Sequence, residues 1–156
     1  MADNSSSHTG SEQARPAAQE RVAWAYLPVA AVAAAAASAV ACALLFALES
    51  ALGIIDHSVS LPSMVGTGPA SVTSVTAAAV VFSLIAAVAF AVIGAIGRRP
   101  IHVFRIVSVV ALVLSLALPA TVPGPSPVMR LGLALMHVVT WAINLGILTT
   151  LGRRSS

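Results

Sequence analysis

The residues best equipped for chemistry lie in the last apolar stretch. Arg130, His137 and Asn144 are spaced by seven, with Thr140 and Trp141 among them. Seven residues are close to two helical turns, so the three share one stripe, with Thr140 and Trp141 on the same side. Imidazole can pass protons, bind a metal or bond a ligand, and a carboxamide both donates and accepts. Two readings stay open. In the first, His137 and Asn144 hydrogen-bond to neighbouring helices and hold a bundle together. In the second, Arg130, His137, Thr140 and Asn144 form a site (a proton relay, a ligand pocket or a haem ligand), because ionisable groups deep in a membrane often carry function. Haem needs a second axial ligand at similar depth. His57 and His102 fall elsewhere along the chain, so only His137 of a second copy would serve, and no cofactor is expected.

Glu49, Asp56 and His57 combine carboxylates with imidazole, a set that can hold a metal. Their spacing matches no ligand motif, so they read as a solvated loop at a helix end, and no metal is expected. No GxSxG, Walker, HExxH or CxxC pattern occurs, no acid follows Asp56, and the single cysteine is Cys42. The sequence therefore presents no catalytic constellation.

The elements that must position these groups follow from charge. Charged residues make up 8% of the 156, against roughly 25% in ordinary soluble domains, and hydrophobic residues make up 58%. No charge occurs in 22–48, 57–97, 106–129 or 131–152. A soluble fold needs charge on its outer faces and a disordered chain lacks this much apolar content, so both classes are excluded. Each stretch exceeds the roughly 20 helical residues that cross a bilayer core. Unbroken Ala- and Leu-rich runs favour helices over the alternating strands of a barrel. The expected fold is all-α: an integral membrane four-helix bundle over 22–152, with spans of about 23–48, 72–97, 101–118 and 128–151. Residues 1–21 are read as a disordered cytoplasmic tail and 153–156 as a second, short tail. Ala37-Ser38-Ala39 has the small-x-small form of a signal-peptide cleavage site, but the apolar run continues to Leu48, so the first span is expected to stay.

The loop at 49–71 holds Gly53, Pro62, Gly66, Gly68 and Pro69, which break helices, and also several Ile, Val and Leu. It is expected to lie on the bilayer surface or dip back against the bundle. Small residues recur every four positions at Ser83, Ala87, Ala91 and Ala95, and at Ala30, Ala34 and Ser38. Such rows let backbones approach closely, within one chain or between two.

Orientation follows from the arginines. Arg15, Arg21, Arg98, Arg99, Arg105, Arg153 and Arg154 flank one side, and only Arg130 flanks the other. Both termini are thus predicted cytoplasmic, with 49–71 and 119–127 outside. This scatter marks topology and presents no basic face for nucleic acid. Arg105 is expected to snorkel to headgroups, and Arg130 to do so on the outer side or pair with Glu49 or Asp56.

Pro100-Ile-His-Val-Phe104-Arg105, then Ser115-Leu-Ala-Leu-Pro119, then Leu135-Met136-His137-Val138 and a closing arginine pair follow in order. This half is similar to a family of small, uncharacterised four-helix membrane proteins found mainly in actinobacteria, a domain of unknown function. The first half shares only the layout. The resemblance implies a bacterial inner-membrane location and a four-helix fold, and it implies no activity.

The leading expectation is a non-enzymatic multi-pass protein of the inner (cytoplasmic) membrane, whose partners are the lipid bilayer and a second copy or another membrane protein. The alternative is a small transporter or ligand-binding protein with its site around His137 and Asn144, and a membrane enzyme ranks third. The topology is open to direct test. Ser60→Cys and Ser126→Cys should react with an impermeant maleimide added outside intact cells, and Ser155→Cys should not. Outside labelling of Ser155→Cys would overturn the orientation.

Overall fold

The computed structural model describes residues 22–63, 66–121 and 123–152. The two predicted tails, 1–21 and 153–156, lie outside the described residues. After a 3-10 turn at Trp24–Tyr26 come α1 (Leu27–Ala51), a hairpin of β1 (Ser60–Ser63) and β2 (Gly66–Pro69), α2 (Val72–Ile96), α3 (Pro100–Thr121) and α4 (Pro127–Leu151). All four helices are long and apolar enough to cross a membrane, the mark of a multi-pass membrane protein.

Local chemistry sets most helix ends. Ser71 caps α2: its hydroxyl accepts from the Ser74 amide, and Ser74 Oγ accepts from the Ser71 amide, a reciprocal capping box. Ser126 caps α4 by a single bond, its hydroxyl accepting from the Met129 amide, with Pro127 opening the helix. Two boundaries differ from the sequence-based expectation. Helix α1 runs on to Ala51 and so takes Glu49 into its last turn. Helix α3 passes Pro119 and ends at Thr121. Proline removes one donor but costs little in a final turn, and there Thr121 Oγ1 bonds back to the Ala117 carbonyl.

The helices alternate in direction. Helix α1 packs on α2 and α4, α3 leans on α2 and α4 from the other side, and α1 and α3 barely meet. Small residues set the α1–α2 approach. Ala30, Ala34 and Ser38 of α1 are buried, as are Ala79, Ser83 and Ala87 of α2. The row thus works within the chain, but on α2 it turns from Ala87 to Phe90 and leaves Ala91 and Ala95 outside the buried set.

Two apolar clusters fill the ends of the bundle. One gathers Val22, Phe90, Ile101, Phe104 and Leu148 where α1 and α3 start and α2 and α4 finish. There Phe90 meets Phe104 edge to face, with centroids 4.9 Å apart, and the Ala23 amide donates to the Gly152 carbonyl at 2.8 Å. Gly152 is needed at this closure, because a Cβ would stand 2.6 Å from Phe90 Cε1. The other cluster gathers Cys42, Phe46, Ile55, Ala70, Met129 and Met136. Ile55 and Ala70 belong to the 52–71 connection, so this loop folds back onto the bundle. The short antiparallel hairpin (Ser60 opposite Pro69, Leu61 opposite Gly68) pins it there, as does His57, whose Nδ1 donates to the Ala70 carbonyl. Outside these contacts, Val32, Leu44, Val88, Leu114 and Leu131 stand exposed on every helix face away from the core, a surface suited to lipid.

Lipid is as apolar as a side-chain core, so removing a buried ring here forfeits packing without a water-transfer term. Phe90→Ala should therefore destabilise the fold by about 2 kcal/mol, from roughly 24 cal/mol per Å3 of cavity left by the ring. Denaturation by sodium dodecyl sulfate in mixed micelles reads this. A change under about 0.5 kcal/mol would contradict the packing described.

Candidate functional site

Asn144 sits two turns before the end of α4 and is 5% exposed. Its Nδ2 donates to the Ser83 hydroxyl on α2 (3.0 Å), the Ser38 hydroxyl on α1 (3.3 Å) and the Thr140 carbonyl one turn back (2.8 Å). The carbonyl can only accept, so the amide nitrogen must point this way and the carboxamide orientation is settled. Ser83 Oγ donates to the Ala79 carbonyl at 2.7 Å and is thus the acceptor towards Asn144. One side chain ties three helices together at mid-bundle. One turn nearer the start of α4, Thr140 Oγ1 meets Cys42 Sγ at 3.2 Å, a second polar link between α4 and α1.

The heptad stripe of α4 does not act as one face. A seven-residue step falls about 20° short of two full turns. Asn144 turns its nitrogen into the α1–α2 junction, whereas His137 bonds only within α4; both border a cleft between α2, α3 and α4. His137 is half-buried, and its Nδ1 lies 2.8 Å from the Leu133 carbonyl. That nitrogen must donate, so in the neutral ring Nε2 is left as an acceptor. Arg130 stands apart at the start of α4, where its Nη1 donates to the Ala120 carbonyl of α3 at 3.2 Å. The expected pairing with Glu49 or Asp56 does not form. Asp56 is instead held by the Ser58 hydroxyl (2.6 Å) and amide (2.9 Å), and these bonds, the hydroxyl first, keep its carboxyl below the usual carboxylate range.

The cleft measures about 400 Å3 and is half enclosed. Val75 and Phe82 of α2, Phe104, Ala111 and Leu112 of α3, and Leu145 of α4 form most of its wall. His137, Thr140, Trp141 and Asn144 also border it, and no Asp, Glu or Arg does. Trp141 Nε1 and Asn144 Oδ1 lie buried behind this wall, without hydrogen-bond partners among the described residues. Helix α3 is tied to its neighbours near its ends, by Phe104 against Phe90 and by the Arg130–Ala120 bond.

Glu49 was read as a loop residue, and the structure corrects this. It is buried on α1, in line with Cys42 and Phe46 at helical spacing, and its carboxyl rests against Gly132 of α4. That 42–46–49 spacing was a signal available in the sequence. Ser38 and Ser83 stood out only as small packing residues, and nothing in the sequence marked them as partners of Asn144. Among the described residues no group of three His, Cys, Asp or Glu could hold a metal.

If the carboxamide couples α2 to α4, Ser83→Ala and Asn144→Ala should be non-additive by about 0.6–1.7 kcal/mol, the range for interhelical hydrogen bonds in membranes. A double-mutant cycle in mixed micelles measures this, and full additivity would show that the contact contributes nothing.

The chain belongs to the family of unknown function DUF6069, whose family model matches residues 21–154. No curated protein and no solved structure matches it.

Proposed function

We propose that this DUF6069 member is a non-enzymatic multi-pass protein of the bacterial inner membrane that binds a small lipophilic molecule in the cleft between α2, α3 and α4. Both termini lie in the cytoplasm, in keeping with the seven-to-one division of its arginines. The observation that carries the reading is the cleft itself: about 400 Å3 at mid-bundle, uncharged, with one imidazole nitrogen left to accept. Its size falls in the range of small-molecule sites. Its mostly apolar, uncharged wall suits a hydrocarbon chain or fused-ring lipid. A hydroxyl on the ligand would donate to His137 Nε2. The Asn144 junction serves this function indirectly, by holding α1, α2 and α4 as a frame on which α3 rests.

A photoactivatable long-chain alcohol tests the reading. With the protein in native-like vesicles, crosslinks should concentrate on peptides from α3 and the His137–Leu145 part of α4. Ala111→Phe, which fills the cleft, should cut this labelling at least fivefold, and His137→Leu should reduce it more modestly. Labelling spread evenly over lipid-facing α1 positions such as Val32 and Val40, and insensitive to Ala111→Phe, would sink the reading.

A further inference from the structure

Glu49 is the one acidic side chain of the four helices, and it is the one acid buried among the described residues. It is 4% exposed, and neither carboxyl oxygen has a hydrogen-bond partner among the described residues. Phe46, one turn back on its own helix, and Met129 and Leu133 of α4 belong to the apolar cluster at this end of the bundle. Gly132, between those two, makes the seat. A Cβ there would stand 2.6 Å from Oε2, 2.8 Å from Cδ and 2.9 Å from Oε1, so the carboxyl occupies the space a side chain would need. An ionised carboxylate buried without a partner costs several kcal/mol, and membrane helices rarely tolerate such a group without a function.

No neighbouring group neutralises it. On α1, Cys42 lies seven residues back on the same face, bonded to Thr140. In the connection, Asp56 is taken by Ser58, while the His57 ring meets Phe46 edge-on at 6.0 Å and bonds Ala70. On α4, Arg130 turns its Nη1 to Ala120. Helix α2 has no charged or imidazole side chain, and those of α3 (His102 and Arg105) lie in its first turns, at the far end of the bundle. A metal ion is poorly served too. Hard cations take six or more oxygen ligands, and the other buried, unpartnered side-chain oxygen in this turn is Ser50 Oγ alone.

What remains is the smallest cation. We propose that Glu49 is a proton-binding site: its carboxyl is carried as the neutral acid at neutral pH in the seat formed by Gly132, and loss of the proton requires the group to leave that seat. The proton thereby sets how α1 and α4 fit at the end of the bundle capped by the 52–71 connection. This site is separate from the cleft and does not depend on it.

Dicyclohexylcarbodiimide, an apolar reagent, tests the proposal on the full chain in mild detergent at pH 7. It needs a protonated acid. The carboxyl proton goes to one nitrogen and the carboxyl oxygen to the central carbon, and acyl transfer to nitrogen then gives a stable N-acylurea that retains every atom of both reactants. Peptide mass mapping should find this adduct on Glu49 and not on exposed Asp56, and Glu49→Gln should abolish it. A water-soluble carbodiimide with glycine ethyl ester should show the reverse preference. In Gly132→Ala the added methyl expels the carboxyl, so apolar labelling should fall at least fivefold while water-soluble labelling of Glu49 rises. If that variant does not purify, the contrast between the two reagents on the unaltered chain decides alone. Failure of the apolar reagent to label Glu49, or labelling of Glu49 by the water-soluble reagent as readily as Asp56, would overturn the proposal.

Discussion

A carboxamide at mid-depth in a membrane bundle has no water to turn to, so its hydrogen bonds must come from other helices. Asn144 meets this demand by offering one nitrogen to Ser38, Ser83 and its own Thr140 carbonyl. Most of the architecture hangs on that junction. Ala, Val and Leu side chains gain nothing by leaving lipid for a neighbouring helix, so the apolar content that puts the helices in the membrane cannot by itself choose their neighbours. The small-residue row of α1 brings backbones close enough for the serines to reach, and the polar contact fixes the register at which α1, α2 and α4 meet. The two apolar clusters then fill what this register leaves above and below.

Helix α3 shows the consequence of lacking such a contact. Its hydroxyls are turned inward to its own backbone, Ser108 to the Arg105 carbonyl and Ser115 to the Leu112 carbonyl. It is held by Phe104 near one end and by the Arg130–Ala120 bond near the other. The cleft is the space a loosely tied helix leaves beside a tightly tied trio. Thr140 and Asn144, committed to α1 and α2 by their hydrogen bonds, border the cleft beside His137, and the rest of its wall is mostly apolar.

At the opposite extreme from Asn144 stands Glu49, a polar group that is buried and left without a hydrogen-bond partner among the described residues. Both groups lie on the α1–α4 interface. Asn144, bonded through its nitrogen, locks register. Glu49, bonded through neither oxygen, is accommodated because Gly132 has no side chain, so the seat is a property of two residues on two helices and of neither alone.

The amino-acid sequence by itself determined the count of the helices and their apolar character. A run of more than twenty residues without charge can be stable in few settings, and lipid then demands a helix, so 22–48, 57–97, 106–129 and 131–152 were enough to place four spans. The breakers in the loops were equally local and equally legible. The partition of the α4 stripe was not legible, since Arg130, His137 and Asn144 share a spacing yet face three different neighbours. Nor was the seat of Glu49, which depends on a glycine 83 positions further along the chain, although its 42–46–49 spacing hinted at the buried face. The physical reason is common to both. Helices that are apolar on every side carry no amphipathic stripe to say which face turns inward. Only the mutual fit of side chains across interfaces could choose the rotation of each helix, and with it which polar groups were satisfied, which bordered the cleft and which were left alone.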